Sequence, residues 1–332
     1  MALDTVRGPS PASRKIRRLG ISVAVIVALY SAGWFYVASK IEETVRNFIA
    51  RPGPVELACD GLTRTGTPFR IGFACDRTSV KDDATGGMLS TGAIHAVANI
   101  YNPGSAIVEL DGPADVSLLG GTAITANWSL LRSGFSLGFS GLKTLSNTGE
   151  NLSLDLFSYA MVEPIVAKAK HGEFHIRGNG ADVDVAVLAD DFALATKSGA
   201  EILPMLSTST ELTLKDKAEL LEGKPLLSKA MTGTLTSFKI ATPQGLYGEM
   251  SGPFEIDEKG YISGTFKTRL EKLGLWEANL LKLFPKADNT ISGMAALFKG
   301  LAKGGDTVTV NLVVDKGTIT LSMFPLGHIP PL

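Results

Sequence analysis

Asp182-Val183-Asp184-Val185-Ala186-Val187 places an apolar side chain at every second position, with carboxylates or a small residue between. A period of two is the spacing of a β-strand, whose side chains point alternately to opposite faces. One face of this stretch is apolar and the other wet, the pattern of an antiparallel sheet packed on one side. The same alternation recurs upstream. Ile94, Ala96, Ala98 and Ile100 alternate with His95, Val97 and Asn99. Ile124, Ala126 and Trp128 alternate with Thr125 and Asn127, and Phe135, Leu137 and Phe139 with Ser136 and Gly138. Leu152, Leu154 and Leu156 alternate with Ser153 and Asp155, and Phe174 and Ile176 follow. Downstream, 233–240, 246–256, 261–270, 308–314 and 318–323 alternate too, and Asp315-Lys316-Gly317 is a tight-turn signal between the last two. Thirty-six glycines and sixteen prolines fit many turns between short strands. The expected fold class is mainly β (α+β): curved antiparallel sheets with a few helices.

Helical signals are few. Residues 214–230 mix Lys, Glu and Leu at helical spacing, broken near Gly223 and Pro225. Residues 273–284 are apolar with a helical spacing, and Pro285 stops them. Asp288 is expected to cap a helix through Lys303, with Ile291, Ala295, Phe298 and Ala302 on one side and Gly304 closing it.

The N-terminal part is of another kind. Leu19 to Ala38 carries no charge. As a helix of about 20 residues it spans about 30 Å, the thickness of a bilayer core. Arg14, Lys15, Arg17 and Arg18 precede it, while Lys40, Glu42, Glu43 and Arg46 after it nearly cancel. That asymmetry predicts a single-pass segment with a cytoplasmic N-terminus and the bulk of the chain outside the membrane. Trp34, Phe35 and Tyr36 fall where an outer aromatic belt is expected. A cleavable signal peptide is the rival reading. The run is long for one, and Val37-Ala38-Ser39 is the tolerable cleavage site. An uncleaved anchor is expected. Ala24, Ala28 and Ala32 form a small-residue stripe that can pack two membrane helices, although alanine is common in such helices. Ile41, Val45, Phe48 and Ile49 carry the helix on toward Ala50, and Pro52-Gly53-Pro54 ends it. The expected organisation is a disordered tail over 1–13, an anchor helix over 14–50, and two β modules over 51–195 and 196–332.

Cys59 and Cys75 are the two cysteines. Strands over 55–62 and 69–80, around the turn Gly66-Thr67-Pro68, would set them opposite each other across a hairpin. In an oxidising compartment this reads as a disulfide; two buried free thiols are the alternative. A metal site is not expected, because no second ligand pair accompanies them.

Glu109-Leu110-Asp111-Gly112-Pro113-Ala114-Asp115-Val116 matches Glu249-Met250-Ser251-Gly252-Pro253-Phe254-Glu255-Ile256. Ile100 and Pro103 match Ile240 and Pro243 at the same offset of 140. This reads as two related β modules, with chance likeness among hairpins as the alternative. Gly112-Pro113 and Gly252-Pro253 are expected to interrupt strands, bending the sheet or marking an edge.

Candidate chemistry is thin. Gly134-Phe135-Ser136-Leu137-Gly138 fits the G-x-S-x-G pattern, but a nucleophile elbow needs strand, turn and helix, and here the alternation runs straight through. His171, Glu173 and His175 share a strand face as a two-His-one-carboxylate set, yet i and i+4 on a strand lie about 13 Å apart, too far for one metal. His95 and His328 stand alone. Asp182, Asp184, Asp190 and Asp191 read as a solvated face, with weak Ca²⁺ binding the alternative. Gly223-Lys224 lacks the Ser or Thr of a P-loop. A net charge of −1, with no basic stripe outside the tail, argues against nucleic acid. No enzyme activity, cofactor or metal is expected.

Three stretches resemble one family. They are Gly66-Thr67-Pro68-Phe69-Arg70-Ile71 ahead of Cys75, Tyr101-Asn102-Pro103 leading to Glu109-Leu110-Asp111-Gly112-Pro113, and Gly317 to Leu321 running into Phe324-Pro325-Leu326-Gly327-His328-Ile329-Pro330-Pro331-Leu332. Together they resemble the domain of unknown function 2125 family, membrane-anchored envelope proteins of alphaproteobacteria. The resemblance implies an anchor in the bacterial inner membrane and a periplasmic β-rich domain, and carries no reaction or catalytic residue. The expected function is a non-enzymatic binder of a lipid or other hydrophobic ligand. The alternative is a scaffold that docks other envelope proteins.

Overall fold

The computed structural model describes residues 11–66, 69–138, 141–223 and 230–332. The tail over 1–10, Thr67-Pro68, Phe139 and Lys224-Pro225 lie outside the described residues, as do the side chains of Arg14 and Pro103.

Helix α1 runs Pro11–Ile49, beginning inside the stretch expected as tail and stopping before Pro52. It is long and apolar enough to cross a membrane, as an anchor or a signal sequence. The strands follow in chain order: β1 Val55–Asp60, β2 Thr63–Thr65, β3 Arg70–Cys75, β4 Arg77–Asp82, β5 Gly87–Thr91, β6 Ile94–Asn99, β7 Asn102–Leu110, β8 Ala114–Leu118, β9 Thr122–Asn127 and β10 Leu130–Leu137. Four long strands come next, β11 Leu142–Ser158, β12 Ile165–Asn179, β13 Asp182–Thr196 and β14 Glu201–Leu214. Then come β15 Met231–Ala241, β16 Tyr247–Ile256, β17 Ile262–Glu271, helices α2 Leu273–Leu283 and α3 Asp288–Leu301, and β18 Thr307–Asp315, β19 Thr318–Leu321 and β20 Phe324–His328.

From β11 to β20 each strand pairs antiparallel with the next. The sheet is continuous through the boundary expected at 195/196, since β13 pairs with β14. On its other edge β11 has two neighbours: β10 along Leu142–Glu150 and β9 along Ser153–Ser158. The sheet therefore forks. One branch runs β10-β7-β6-β3-β2 and the other β9-β8-β5-β4-β1.

The cysteines staple the two branches. Cys59 on β1 and Cys75 on β3 have sulfurs 1.90 Å apart, a bonded distance. They are not partners across a hairpin as the turn signal suggested. Cys59 pairs with Thr78 and Cys75 with Ile94. The hairpin is β2–β3, and β1 leaves it for the other branch.

Directly opposite residues of an antiparallel pair share a face. One apolar row runs Phe135, Leu145, Ile176, Val185, Leu212, Leu235 across six strands. Leu235 packs with Phe266 and Val314 in a buried core, which continues into a second core of Leu273, Phe298, Val308 and Leu321 under α2 and α3. The helices thus cover the apolar face only toward the C-terminal strands. The rest of that face is open. The accessible surface of 20960 Å² exceeds the about 13,000 Å² expected of a compact 35.0 kDa chain.

Several sequence expectations change in detail. The 214–230 stretch holds strand to Leu214 and then a short 3₁₀ turn, Ala218–Glu222. Asp288 is the first residue of α3 and not its cap; Ala287 holds that place without a side-chain bond. Lys316 and Gly317 both take φ > 0 (45° and 82°), the two-residue turn expected after Asp315. Residues 318–323 divide, because Ser322 turns at φ 56° and β20 folds back on β19.

Candidate apolar groove at the sheet fork

The long strands share a crease. Asn151 and Asp191 are both left-handed at φ 50°. The registers on either side place Asn151 opposite Lys170 and Lys170 opposite Asp191. A single left-handed residue in a strand resets its alternation. On β11 the apolar face passes from Leu145 and Gly149 to Leu152 and Leu154, an odd-to-even change. On β13 it passes from Val185 and Val187 to Phe192 and Leu194. Because β11 and β13 both reset at the row of Lys170, the apolar face stays continuous while the sheet bends.

At this bend, beside the fork, lies a groove of ≈ 480 Å³. Trp128, Leu131, Leu152, Leu154, Phe174 and Phe192 supply its apolar wall. Gly149 and Gly172, opposite each other on β11 and β12, form the floor. A Cβ on Gly149 would lie 2.7 Å from Leu152 Cδ2, and one on Gly172 would lie 2.9 Å from Cδ1. Bare glycine lets Leu152 lie flat there. Trp128 is held from behind, its Nε1 donating to the Leu110 carbonyl at 2.6 Å. The Gly112-Pro113 turn, where β7 gives way to β8, packs against the same indole. Its sequence counterpart behaves differently: Gly252-Pro253 stays inside β16 at a bulge against β15. A Cβ on Gly252 would lie 2.1 Å from the Thr265 carbonyl oxygen.

The opposite face of the crease is polar. His171 Nδ1 meets Glu150 Oε1 at 2.8 Å, and its Nε2 meets Glu173 Oε1 at 2.9 Å. The other Glu173 oxygen meets His175 Nε2 at 2.8 Å. Hydrogen bonds that His171 donates to Glu173 and Glu150 raise its pKa, and those that Glu173 accepts from His175 and His171 lower its own. The three residues expected to share a strand face do so, but as a chain of ion pairs. Among the described residues no group of three or more His, Cys, Asp or Glu is placed to hold a metal.

A larger hollow of ≈ 620 Å³ also lies on the polar face, near Arg177, Asp184 and Thr213. Its Arg177 and Asp184 are already paired. Arg177 donates to Asp184 Oδ2 at 2.8 Å and Thr213 to Oδ1 at 2.9 Å, which together hold the Asp184 pKa down. Ser136 sits mid-strand with its Oγ 2.6 Å from Thr144 Oγ1, the position of a ladder residue and not of an exposed elbow.

On α1, Lys15, Arg17, Arg18, Leu19, Ala24, Ala28 and Ala32 are exposed along the helix, and Arg14 falls in its first turns. Ala38 is different: it is 0% exposed, and Trp34 is 4% exposed. Sequence reasoning listed some groove residues only as strand residues and missed Leu131 and Phe192. The available signal was the change of apolar parity within single strands, from Leu145 to Leu152 and from Val187 to Phe192.

A forked antiparallel sheet with an open apolar face, behind one long apolar helix, defines the class of protein. The chain belongs to the family described as uncharacterised protein conserved in bacteria, domain of unknown function 2125, whose model matches residues 34–330. Comparisons with the curated proteins and with the solved structures return no match.

Proposed function

We propose that this chain is a single-pass protein of the bacterial inner membrane that holds a lipid or other hydrophobic molecule in the groove of a periplasmic β domain, without catalysing a reaction. The observation that carries the reading is the wall of Trp128, Leu131, Leu152, Leu154, Phe174 and Phe192 left uncovered on an apolar face that the helices cover only toward the C-terminal strands. Its ≈ 480 Å³ falls within the range of ligand sites, about 300–1,000 Å³. Apolar surface left open in this way is usually a binding site. The cluster of Lys15, Arg17 and Arg18 before the apolar run supports the cytoplasmic N-terminus, and a bonded cysteine pair fits an oxidising compartment.

Native mass spectrometry on the full chain, released from a mild detergent, tests this. A bound mass of lipid size is expected on the parent protein. Leu154→Glu sets a carboxylate on the groove wall at a side chain already 38% exposed, so the fold tolerates it. That variant should lose at least about 90% of the bound species, a cost of about 1.4 kcal/mol or more. Bare protein in both cases, or equal loading of both, rejects the groove and leaves a docking scaffold as the surviving reading.

A further inference from the structure

The β domain grips α1 inside the apolar run as well as after it. Ser31, Trp34, Ala38, Glu42, Val45 and Ile49 face the domain at helical spacing. Trp34 donates from Nε1 to the Arg70 carbonyl at 3.1 Å. The apolar residues before the first contact with the domain, 19–29, span about 16 Å as a helix. A bilayer core needs about 30 Å. If Leu19 marks its inner edge, the hydrocarbon reaches the level of Ala38, beyond Tyr30 and Trp34, where Phe69 and Arg70 of the domain already meet the helix.

Those two tips carry exposed aromatics. Phe69 is 56% exposed and Tyr101 73% exposed. Phe69 stacks on Tyr101 at 6.2 Å and reaches Tyr30 of α1 at 6.3 Å, so one aromatic surface runs from the helix onto the domain. Arg64 lies over the rings of Trp34 and Phe35 at 5.6 and 5.4 Å. Aromatic rings with a cation just beyond them are what the headgroup layer accepts.

We infer that Phe69 and Tyr101 insert into the outer leaflet of the bilayer that α1 crosses, so that the β domain is seated on the membrane at two points. The partner is a phospholipid surface, and the inference rests on α1 crossing the bilayer, not on what the groove holds. The seat fixes the domain's tilt, where α1 alone would leave it free to rotate.

The test places the photo-reactive amino acid p-benzoylphenylalanine at single positions of the full chain, reconstituted in vesicles of phosphatidylethanolamine and phosphatidylglycerol. Replacing Tyr101 should give a lipid adduct on illumination. Replacing Val25, exposed in the middle of the helix, should do so as well. Replacing Met323, 90% exposed between β19 and β20 and twelve strand steps from β3, should give at least tenfold less. A second label at Phe69 repeats the reading for the other tip. An adduct at Val25 without one at Tyr101 or Phe69 overturns the inference, as does equal labelling at Met323. No adduct at Val25 overturns it too, by removing α1 from the bilayer.

Discussion

Asn151 keeps a left-handed backbone in the middle of a seventeen-residue strand. Asparagine tolerates this better than most residues, and a β-branched side chain does not. Asn151→Val should therefore destabilise the chain by about 1–2 kcal/mol, while Asn151→Gly should be near neutral, as denaturant titration would read. Equal costs for the two would mean that the crease does not depend on that backbone. On the polar side, His171 has a folded pKa above its ordinary 6.5, so its stabilisation is complete below 6.5 and fades as pH rises through the raised value. Glu173 is held below 4.5, so its contribution is present above 4.5 and fades as pH falls through the lowered value. The His171–Glu173 pair is whole between these limits, and Asp190 stands opposite His171 in the same row. His171→Gln should thus lower the melting temperature more near pH 5.5 than near pH 9; an equal drop at both would count against the charged pair. Residue types alone announced the shared face of His171, Glu173 and His175. They could not announce Glu150, which arrives through strand pairing.

Helices α2 and α3 act as a cover for one end of the sheet. Phe298 and Leu273 are buried beneath them with Val308 and Leu321. Phe298→Ala should cost about 3–5 kcal/mol in unfolding free energy. Much less would show that the cover floats on the sheet. Both helices were legible from apolar spacing and from Pro285, and α1 from its uncharged run. The strands β15 to β18 were legible because alternation within each strand is a local property. The fork was not, because β3–β6 and β5–β8 join strands that are not neighbours in sequence. The disulfide was legible as a pair but misplaced, since a turn signal speaks only for the hairpin next to it. Its loop spans 16 residues, so reducing it should cost about 3 kcal/mol in the chain-entropy view. The unfolding midpoint with and without reductant measures this, and an unchanged midpoint would refute it.

At the scale of the whole molecule, the chain is thin and open. Few side chains are fully buried between β9 and β13, and the accessible surface far exceeds that of a compact protein of equal mass. Composition could not reveal this, because the same 45% hydrophobic content would serve a closed sandwich as well. Starting from β11, one can walk through β10, β7, β6 and β3, step across Cys75 to Cys59, and return by β1, β4, β5, β8 and β9. That circuit of ten strands is a hoop whose ladders leave one gap, spanned by the disulfide, by the chain itself as Asp76 carries β3 into β4, and by the Asp76 N–H donating to the Asp60 carbonyl at 2.8 Å. A hoop of this kind resists being pulled open at the clasp and yields everywhere else by bending. The sulfur clasp forms only where thiols oxidise, so a copy kept in a reducing compartment would hold that seam by the turn at Asp76 and one backbone hydrogen bond alone.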